Sequence, residues 1–349
     1  MRSRVLILLV SITLGVPASY AADSAPVDCT HLMAWAAGGV SNAKLTKIVQ
    51  SRGTALTLSS AAEREFRSAG ISPELLAILR SIKSAGGSNC LASLAKAAAL
   101  SHDKKYEEAG DLVSRLLQGD PRNGSLHFAL AYLKQQQGDW DGAFDEYSTA
   151  KEKEPDFSEV HNRLALVFYQ GDDAENTIGE ARTALSMDFQ DPEAYHMLGL
   201  GHYANQQYGA AMNAFEESLA RNPANANVYY EMGLVARDQG SDEQAIQSLR
   251  KSLQLDPKLW QAHSSLGALL GKKKQFTEAI AELNAAKHLA PNDPSIHENL
   301  ANVYYEMGLV ARDQGSDDQA IQSFRKSLQL DPKLWQAHSS LGSLLGKKK

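Results

Sequence analysis

The sequence has few of the residues that interrupt helices or cross-link a chain. Among 349 residues there are 11 prolines and 2 cysteines, and aromatic residues make up 7%. Few prolines leave room for long uninterrupted helices. Hydrophobic residues make up 43% and charged residues 22%, which is typical of a chain that forms a core and argues against disorder. We therefore expect a mainly helical protein.

An excess of positive charge is also absent. The formal net charge is −6, and removal of the leader described next leaves 33 basic against 41 acidic residues, or −8. A nucleic-acid backbone is held by a positive surface field, which a mildly acidic protein lacks. General nucleic-acid binding is therefore not expected.

Long hydrophobic runs are absent except near the N-terminus. Two arginines precede the apolar run 5–16, and small residues end the segment at Ala21. Such a run is too short to span a bilayer, which needs about 20 residues, whereas this order of segments is that of a secretory signal peptide. We predict a signal peptide over residues 1–21 and an exported mature protein, periplasmic or extracellular. No later segment is apolar enough to be a transmembrane segment.

The two cysteines, Cys29 and Cys90, flank one short segment of the chain. An oxidising compartment allows cysteines to pair, and the alternative is two unrelated buried thiols. The even count favours a disulfide between them. It would close a loop of about 60 residues and stabilise the fold by about 4 kcal/mol.

From Cys90 onward the sequence repeats with a period of 34 residues. Prolines recur at 121, 155, 223, 257, 291 and 332, with spacings of 34, 68, 34, 34 and 41. If each of these prolines is position 32 of a unit, small residues are expected at positions 8, 20 and 27, and apolar or aromatic residues at 4, 7, 11 and 24. In the unit 226–259 these and the proline are Tyr229, Met232, Gly233, Ala236, Ala245, Leu249, Ser252 and Pro257.

This pattern resembles the tetratricopeptide repeat family, whose unit is a helix–turn–helix of 34 residues. The resemblance implies an all-α fold, a right-handed α-solenoid with a concave groove lined by the first helix of each unit. One helix hairpin cannot bury its own apolar face, so neighbouring hairpins must stack. Units 90–123 and 158–191 fit less well, and in the second of them Thr177 and Phe189 depart from the pattern.

The predicted organisation has three parts. It comprises the signal peptide 1–21, a small helical N-terminal module 22–89 and the repeat array 90–349. The array contains units 90–123, 124–157, 158–191, 192–225, 226–259 and 260–293, an insert 294–300, a unit 301–334 and a partial unit 335–349.

Two segments of the array, 226–274 and 301–349, are identical except at three of 49 positions. Solenoid repeats ordinarily share only their packing positions, so this identity indicates a recent duplication or an error of sequence assembly. The copies are offset by two periods plus seven residues, and seven residues make about two helical turns. The insert can therefore lengthen a helix without rotating its apolar face, which predicts one helix from about Ser295 to Gln314.

The N-terminal module does not show the repeat. Glycines divide it into short segments, Ser41 and Ser72 are predicted helix starts, and Ser60 with Glu63 is predicted to form a capping box. We therefore expect four short helices. The module is similar to one found ahead of repeat arrays in some exported bacterial proteins, a resemblance that implies no activity.

The sequence contains no motif typical of catalysis or of metal binding. It has no nucleophile elbow, no glycine-rich phosphate loop and no His-Glu-x-x-His. Five of the ten histidines recur at position 4 of a unit, which favours a role in packing. We predict no catalytic residue, no metal and no cofactor.

Binding is expected in the groove, which positions 2, 5, 9, 12 and 13 of the first helix face in related repeats. The resemblance therefore implies a set of partner-binding residues. These are Phe128, Tyr132, Asn162, Tyr169, His196, Tyr203, Asn227, Tyr230, Leu234, Arg237, Asn302, Tyr305, Leu309 and Arg312. Tyrosine and arginine commonly anchor interfaces, and the two arginines favour an acidic partner. The alternative for any single residue is an ordinary half-exposed helix position.

Together these observations predict a non-catalytic exported scaffold that binds a partner protein or peptide in the groove. Two alternatives stay open. One is an accessory or regulatory subunit of an envelope enzyme, such as a protease or a cell-wall enzyme, and the other is a homo-oligomeric spacer.

Overall fold

A computed structural model describes residues 25–82 and 91–347, so the predicted leader and Cys90 lie outside the described residues. Within these two ranges the chain forms nineteen α-helices and no strand beyond an isolated bridge between Val27 and Thr54. The protein is all-α, as predicted. Contacts divide the chain into two compact units, with the boundary between Val167 and Phe168.

The first unit begins with four short helices, which confirms the number predicted. They are α1 (Cys29–Ala37), α2 (Asn42–Arg52), α3 (Ser60–Ser68) and α4 (Pro73–Ser81). The helix hairpins that follow contain α5 (Ala92–His102), α6 (Tyr106–Gly119), α7 (Gly124–Gln136), α8 (Trp140–Lys153) and the start of α9 (Ser158–Gln170).

Serines cap three of the four short helices, and Asp28 caps α1. Ser41 and Ser72 cap α2 and α4, as predicted. The predicted start at Ser60 is wrong by one residue: Ser59 has the extended backbone of a cap, and its hydroxyl accepts a hydrogen bond from the backbone N–H of Ala62 at 3.1 Å. With Ser60 inside the helix, the predicted capping box with Glu63 does not form, because the cap position is one residue earlier.

The second unit continues the hairpins from the end of α9. Its further helices are α10 (Ala174–Met187), α11 (Pro192–Ala204), α12 (Tyr208–Arg221), α13 (Ala226–Asp238), α14 (Asp242–Leu255), α15 (Trp260–Lys272), α16 (Phe276–Leu289), α17 (Pro294–Asp313), α18 (Asp317–Leu330) and α19 (Trp335–Lys347). The helix α17 has 20 residues, which confirms the long helix predicted from the seven-residue insert. Among the described residues, none of the helices combines the length and the apolar character needed to cross a membrane.

The small residue at position 8 of a repeat has the predicted packing role. A Cβ atom added at Gly199 would lie 2.4 Å from the ring of Phe215, and one at Gly267 would lie 2.6 Å from Leu283. Position 8 of the first helix therefore touches position 24 of the second helix directly. A larger side chain there would push the two helices of the hairpin apart.

Position 15 of each repeat lies in the turn between the two helices. Its backbone has a positive φ in the seven full repeats, and glycine occupies it at Gly138, Gly240 and Gly315. Asp172 and Gln206 adopt the same left-handed conformation with φ of 57°, and aspartate is among the side chains that tolerate it best. The turn therefore holds these two polar residues at fixed places beside the first helices.

Histidines at position 4 connect the two helices of a hairpin to the preceding turn. The Nδ1 atom of His127 lies 2.6 Å from a carboxylate oxygen of Glu146, and its Nε2 atom lies 3.1 Å from the carbonyl oxygen of Pro121. His263 repeats this arrangement with Glu282 at 2.6 Å. These contacts confirm the predicted structural role for His127 and His263.

Candidate partner-binding surface

The predicted partner-binding residues all lie on the first helices of hairpins, and we call this set the inner row. In the first unit its members are Phe128, Tyr132 and Asn162. Phe128 is 0% exposed and Asn162 is 1% exposed, while Tyr132 is half-buried. The chain's own N-terminal helices cover this part of the inner row.

The loop after α1 fits closely onto two aromatic rings of the inner row. A Cβ atom at Gly38 would lie 2.5 Å from the ring of Phe128, and one at Gly39 would lie 2.4 Å from the ring of Tyr132. Gly39 also has a positive φ of 72°, which favours glycine. Just before this loop, the hydroxyl of Ser101 on α5 donates to the carbonyl oxygen of Ala37 at 2.7 Å.

Trp35 on α1 is the centre of an aromatic cluster in the first unit. Its ring stacks on Phe157 with centroids 4.6 Å apart, and Phe157 in turn meets Phe128 edge-on at 5.0 Å. The guanidinium group of Arg52 lies 5.9 Å from the centroid of Trp35 and donates to the carbonyl oxygen of Asp156 at 3.0 Å. Aromatic pairs and cation–π contacts of this kind stabilise a buried surface.

A buried carboxylate completes this interface. Glu159, at position 2 of its repeat, is 1% exposed and forms an ion pair with Lys44 on α2. Its other oxygen lies 3.0 Å from the guanidinium group of Arg163, which also lies over the ring of Tyr132. The N-terminal helices therefore cover positions of the first unit that the sequence predicted for partner binding.

One cysteine of the predicted disulfide lies in α1. Cys29 begins α1 and is buried, whereas Cys90 lies outside the described residues, so the pairing stays a prediction.

In the second unit the inner row is open. Its half-buried members are Tyr169, His196, Tyr203, Tyr230, Leu234, Tyr305 and Leu309, and its exposed members are Asn227, Arg237, Asn302 and Arg312. Aromatic and charged side chains are therefore accessible here.

A concave pocket lies beside Tyr203. Its cavity volume is about 510 Å³, and its lining consists of Tyr169, Gln170, Asp172, Tyr203, Ala204, Gln206, Tyr208 and Asp238. The hydroxyl of Tyr203 donates to a carboxylate oxygen of Asp238 at 2.6 Å. The rings of Tyr203 and Tyr208 are 6.2 Å apart and tilted by 46°. We call this cavity the tyrosine pocket.

Glu231 on α13 is a half-buried carboxyl group close to the tyrosine pocket, with no ion pair among the described residues. Burial raises its pKa from 4.5 to about 7, because a poorly hydrated site disfavours the charged form. Burial, followed by the charge of Glu231, raises the pKa of Tyr169 to about 12. Burial and then Glu231 also raise the pKa of Tyr230. A carboxyl group that forms no ion pair with another described residue thus lies near tyrosines of the inner row.

The two arginines of the inner row already have acidic partners. The Nη2 atom of Arg237 lies 2.8 Å from Asp238, and that of Arg312 lies 2.9 Å from Asp313. Each guanidinium group is thus paired with the carboxylate next to it in sequence. This pairing removes the reason for expecting an acidic partner, because a partner carboxylate would have to compete with the aspartate.

His196 occupies position 5 on α11 and is held against the core. Its ring lies 5.9 Å from that of Phe215, and burial lowers its pKa to about 4. The Nε2 atom has no hydrogen-bond partner among the described residues. His196 is therefore neutral at physiological pH and contributes an uncharged surface.

The second copy of the duplicated segment has a different environment. Tyr305 and Glu306 on α17 correspond to Tyr230 and Glu231, but Glu306 is exposed. The first helix of the preceding hairpin, α15, has no tyrosine, whereas α11 supplies Tyr203. The identical sequence therefore forms the tyrosine pocket only in the first copy. Sequence reasoning missed this difference because it depends on the neighbouring helix, and it missed Glu231 because position 6 was not among the groove positions.

Comparison with known proteins agrees with this architecture. Sequence profiles described as tetratricopeptide repeat match residues 100–167, 196–259 and 301–334, and one described as TPR repeat matches 271–308. Together they cover more than half of the chain. No curated protein sequence matches it.

Among solved structures, the chain is similar to one in the APC/C hetero-tetramer Cut9–Hcn1, with 20% identity and a TM-score of 0.58 over 87% of this chain and 59% of that one. It is also similar to the C-terminal part of a TPR repeat-containing protein from Cytophaga hutchinsonii, with 17% identity and a TM-score of 0.52 over 70% of this chain and 98% of that one. These likenesses concern the fold. With the sequence matches, they show that the chain belongs to the tetratricopeptide repeat family.

Proposed function

We propose that this protein is an exported, non-catalytic scaffold that binds a partner polypeptide along the inner row of its second unit. The observation that carries the proposal is the tyrosine pocket, which presents half-buried aromatic rings and polar groups on an open surface. Tyrosine is a stiff, amphipathic side chain that buries a large area with little loss of conformational entropy. Arrays of stacked hairpins commonly use such surfaces to bind peptides.

The first unit supports the same assignment by contrast. α1 and the loop after it pack against the inner row of this unit. Phe128 and Asn162 are buried there. An outside partner would have to displace Trp35 and the ion pair of Lys44 to reach them. We therefore assign partner binding to the second unit.

The binding proposal is tested by affinity capture from the envelope fraction with the full mature chain as bait. We expect Tyr203→Ala and Tyr230→Ala each to weaken capture of the partner. Truncating an anchor residue commonly weakens binding about 30-fold. Tyr305→Ala is the matched control from the second copy and is expected to have a smaller effect. If a double variant of Tyr203 and Tyr230 folds normally and binds within twofold of the wild type, the assignment is wrong.

Export is the second part of the proposal and rests on the leader sequence of residues 1–21. The expected result is a mature protein that begins near Ala22 and occurs in the periplasmic or extracellular fraction. N-terminal sequencing of the purified protein checks this prediction. Recovery of a cytoplasmic protein that keeps residues 1–21 would refute export but not partner binding.

A further inference from the structure

The lining of the tyrosine pocket carries negative charge. Asp172 and Asp238 contribute carboxylates to it, and the lining includes no lysine or arginine. The carboxylate of Asp238 already accepts hydrogen bonds from Tyr203 and Arg237. Asp172 lies in the turn after α9, and its side chain forms no ion pair with another described residue. The pocket therefore favours a positively charged ligand group.

Three tyrosines also line the pocket, together with Gln170, Ala204 and Gln206. Tyr169, Tyr203 and Tyr208 belong to three different helices, α9, α11 and the start of α12. The negative face of an aromatic ring attracts ammonium and guanidinium groups. The cavity of about 510 Å³ has the size of a site for a small ligand or a long side chain.

Glu231 lies outside the lining of the pocket but adds a further acidic group beside it. Its carboxyl group lies close enough to Tyr169 and Tyr203 to influence both, and it has no ion pair among the described residues. A half-buried acid of this kind is destabilised in its charged form unless a positive group comes near. The bound partner would supply that group.

From this geometry we infer that the tyrosine pocket binds a lysine or arginine side chain of the partner polypeptide. Tyr169 and Tyr203 contact the aliphatic stem and the charged head, and Asp172 and Glu231 balance the charge. This inference rests on the proposed function, since it names the partner chemistry recognised at the same surface.

The test uses the full mature chain with ¹³C-labelled tyrosine rings, whose NMR signals are assigned with Tyr169→Phe and Tyr203→Phe. The probes are blocked seven-residue glycine–serine peptides with arginine, lysine, glutamine or glutamate at the centre. We expect the arginine and lysine peptides to shift the signals of Tyr169 and Tyr203 saturably, with an affinity about tenfold above that of the glutamine peptide. The glutamate peptide should bind most weakly.

Two variants make the test specific. Glu231→Gln combined with Asp172→Asn should weaken binding of the arginine peptide about tenfold. Both changes keep the side-chain shape, and asparagine tolerates the left-handed backbone of position 172. Glu306→Gln is the matched control from the second copy and should leave the affinity within twofold of the wild type. Retained melting temperatures show that the variants are folded.

The possible failures are distinguishable. If the glutamine or glutamate peptide binds as well as the arginine peptide, or if the charge variants change nothing, the inference is wrong although partner binding stands. If basic peptides fail to shift Tyr169 and Tyr203 while Tyr203→Ala still abolishes capture of the partner, the inference again fails alone. If neither the peptides nor captured partners respond to changes at Tyr203, both proposals are overturned.

Discussion

Phe128 and Tyr230 occupy the same position of their repeats, yet they face different surroundings. The ring of Phe128 is buried beneath Gly38 and against Phe157. Tyr230 is half-buried on an open surface next to Glu231. In one case the position is part of an intramolecular interface, and in the other it is accessible to a partner. The repeat pattern therefore defines where a side chain lies on its helix but not whether that place is occupied.

The physical difference comes from α1 and the loop after it. Gly38 and Gly39 let this loop approach the inner row within van der Waals distance, while Trp35 supplies the apolar area that holds α1 in place. The buried charge of Glu159 is compensated by Lys44. The second unit has no such covering segment over its tyrosine pocket within the described residues.

The largest expected effect comes from removing the tryptophan of the covered interface. Trp35→Ala should lower the free energy of unfolding of the first unit by about 3–5 kcal/mol, because the ring is fully buried. Chemical denaturation followed by hydrogen exchange of α1 and α7 measures this loss. The matched control is Trp335→Ala, since Trp335 is 70% exposed and its removal should change stability by less than about 0.5 kcal/mol. Equal effects would contradict the covered interface.

The next effect comes from the buried ion pair. Lys44→Met leaves the carboxylate of Glu159 with Arg163 alone, which should destabilise the first unit by about 3 kcal/mol. The control is Arg250→Met, because the pair of Arg250 and Glu278 is exposed and contributes less than about 1 kcal/mol. Denaturant midpoints of the two variants provide the comparison. A Lys44→Met variant as stable as the control would show that α2 is not anchored to the repeats.

The pH dependence of protein stability tests the burial of Glu231 on the open surface. Its pKa is raised from 4.5 to about 7 in the folded state, so the folded protein binds more protons than the unfolded chain between these values. This contribution to stability is therefore present below pH 4.5 and is lost as the pH rises through about 7. Glu231→Gln should remove the loss and stabilise the protein by about 2 kcal/mol at pH 8.5 relative to pH 5. Melting temperatures at both pH values check this, and a pH-independent difference would contradict it.

The smallest effect concerns the close approach of the loop after α1. Gly38→Ala places a methyl group 2.5 Å from the ring of Phe128, and the forced shift should cost about 1.5 kcal/mol. Gly179→Ala is the control, because nothing lies within 4 Å of that position inside α10 and alanine favours a helix there. The two variants should therefore change the thermal midpoint in opposite directions. A stabilising Gly38→Ala change would mean that the loop is not seated on Phe128.

Much of the fold could be predicted from the sequence, because the residues that pack the repeats recur at fixed positions of each unit. The contact of Gly199 with Phe215 follows from the spacing alone, and so does the lengthening of α17 by the insert 294–300. The predicted start of α3 is wrong by one residue, because Ser59 and Ser60 are both suitable N-cap residues. The covering of Phe128 and the desolvation of Glu231 could not be predicted, since both depend on contacts with residues from distant parts of the chain. Tyr230 and Tyr305 illustrate this, because the helix residues around them are the same in both copies and their neighbours differ.

Site-specific photo-crosslinking in the cell compares the two surfaces most directly. p-Benzoylphenylalanine is placed at position 132 in one variant and at position 203 in another, since both positions carry a half-buried tyrosine of the inner row. We predict that the probe at position 203 crosslinks the partner, whereas the probe at position 132 crosslinks only the chain itself, near Gly39. Partner crosslinks from position 132 with none from position 203 would contradict an occupied first unit and an open second unit.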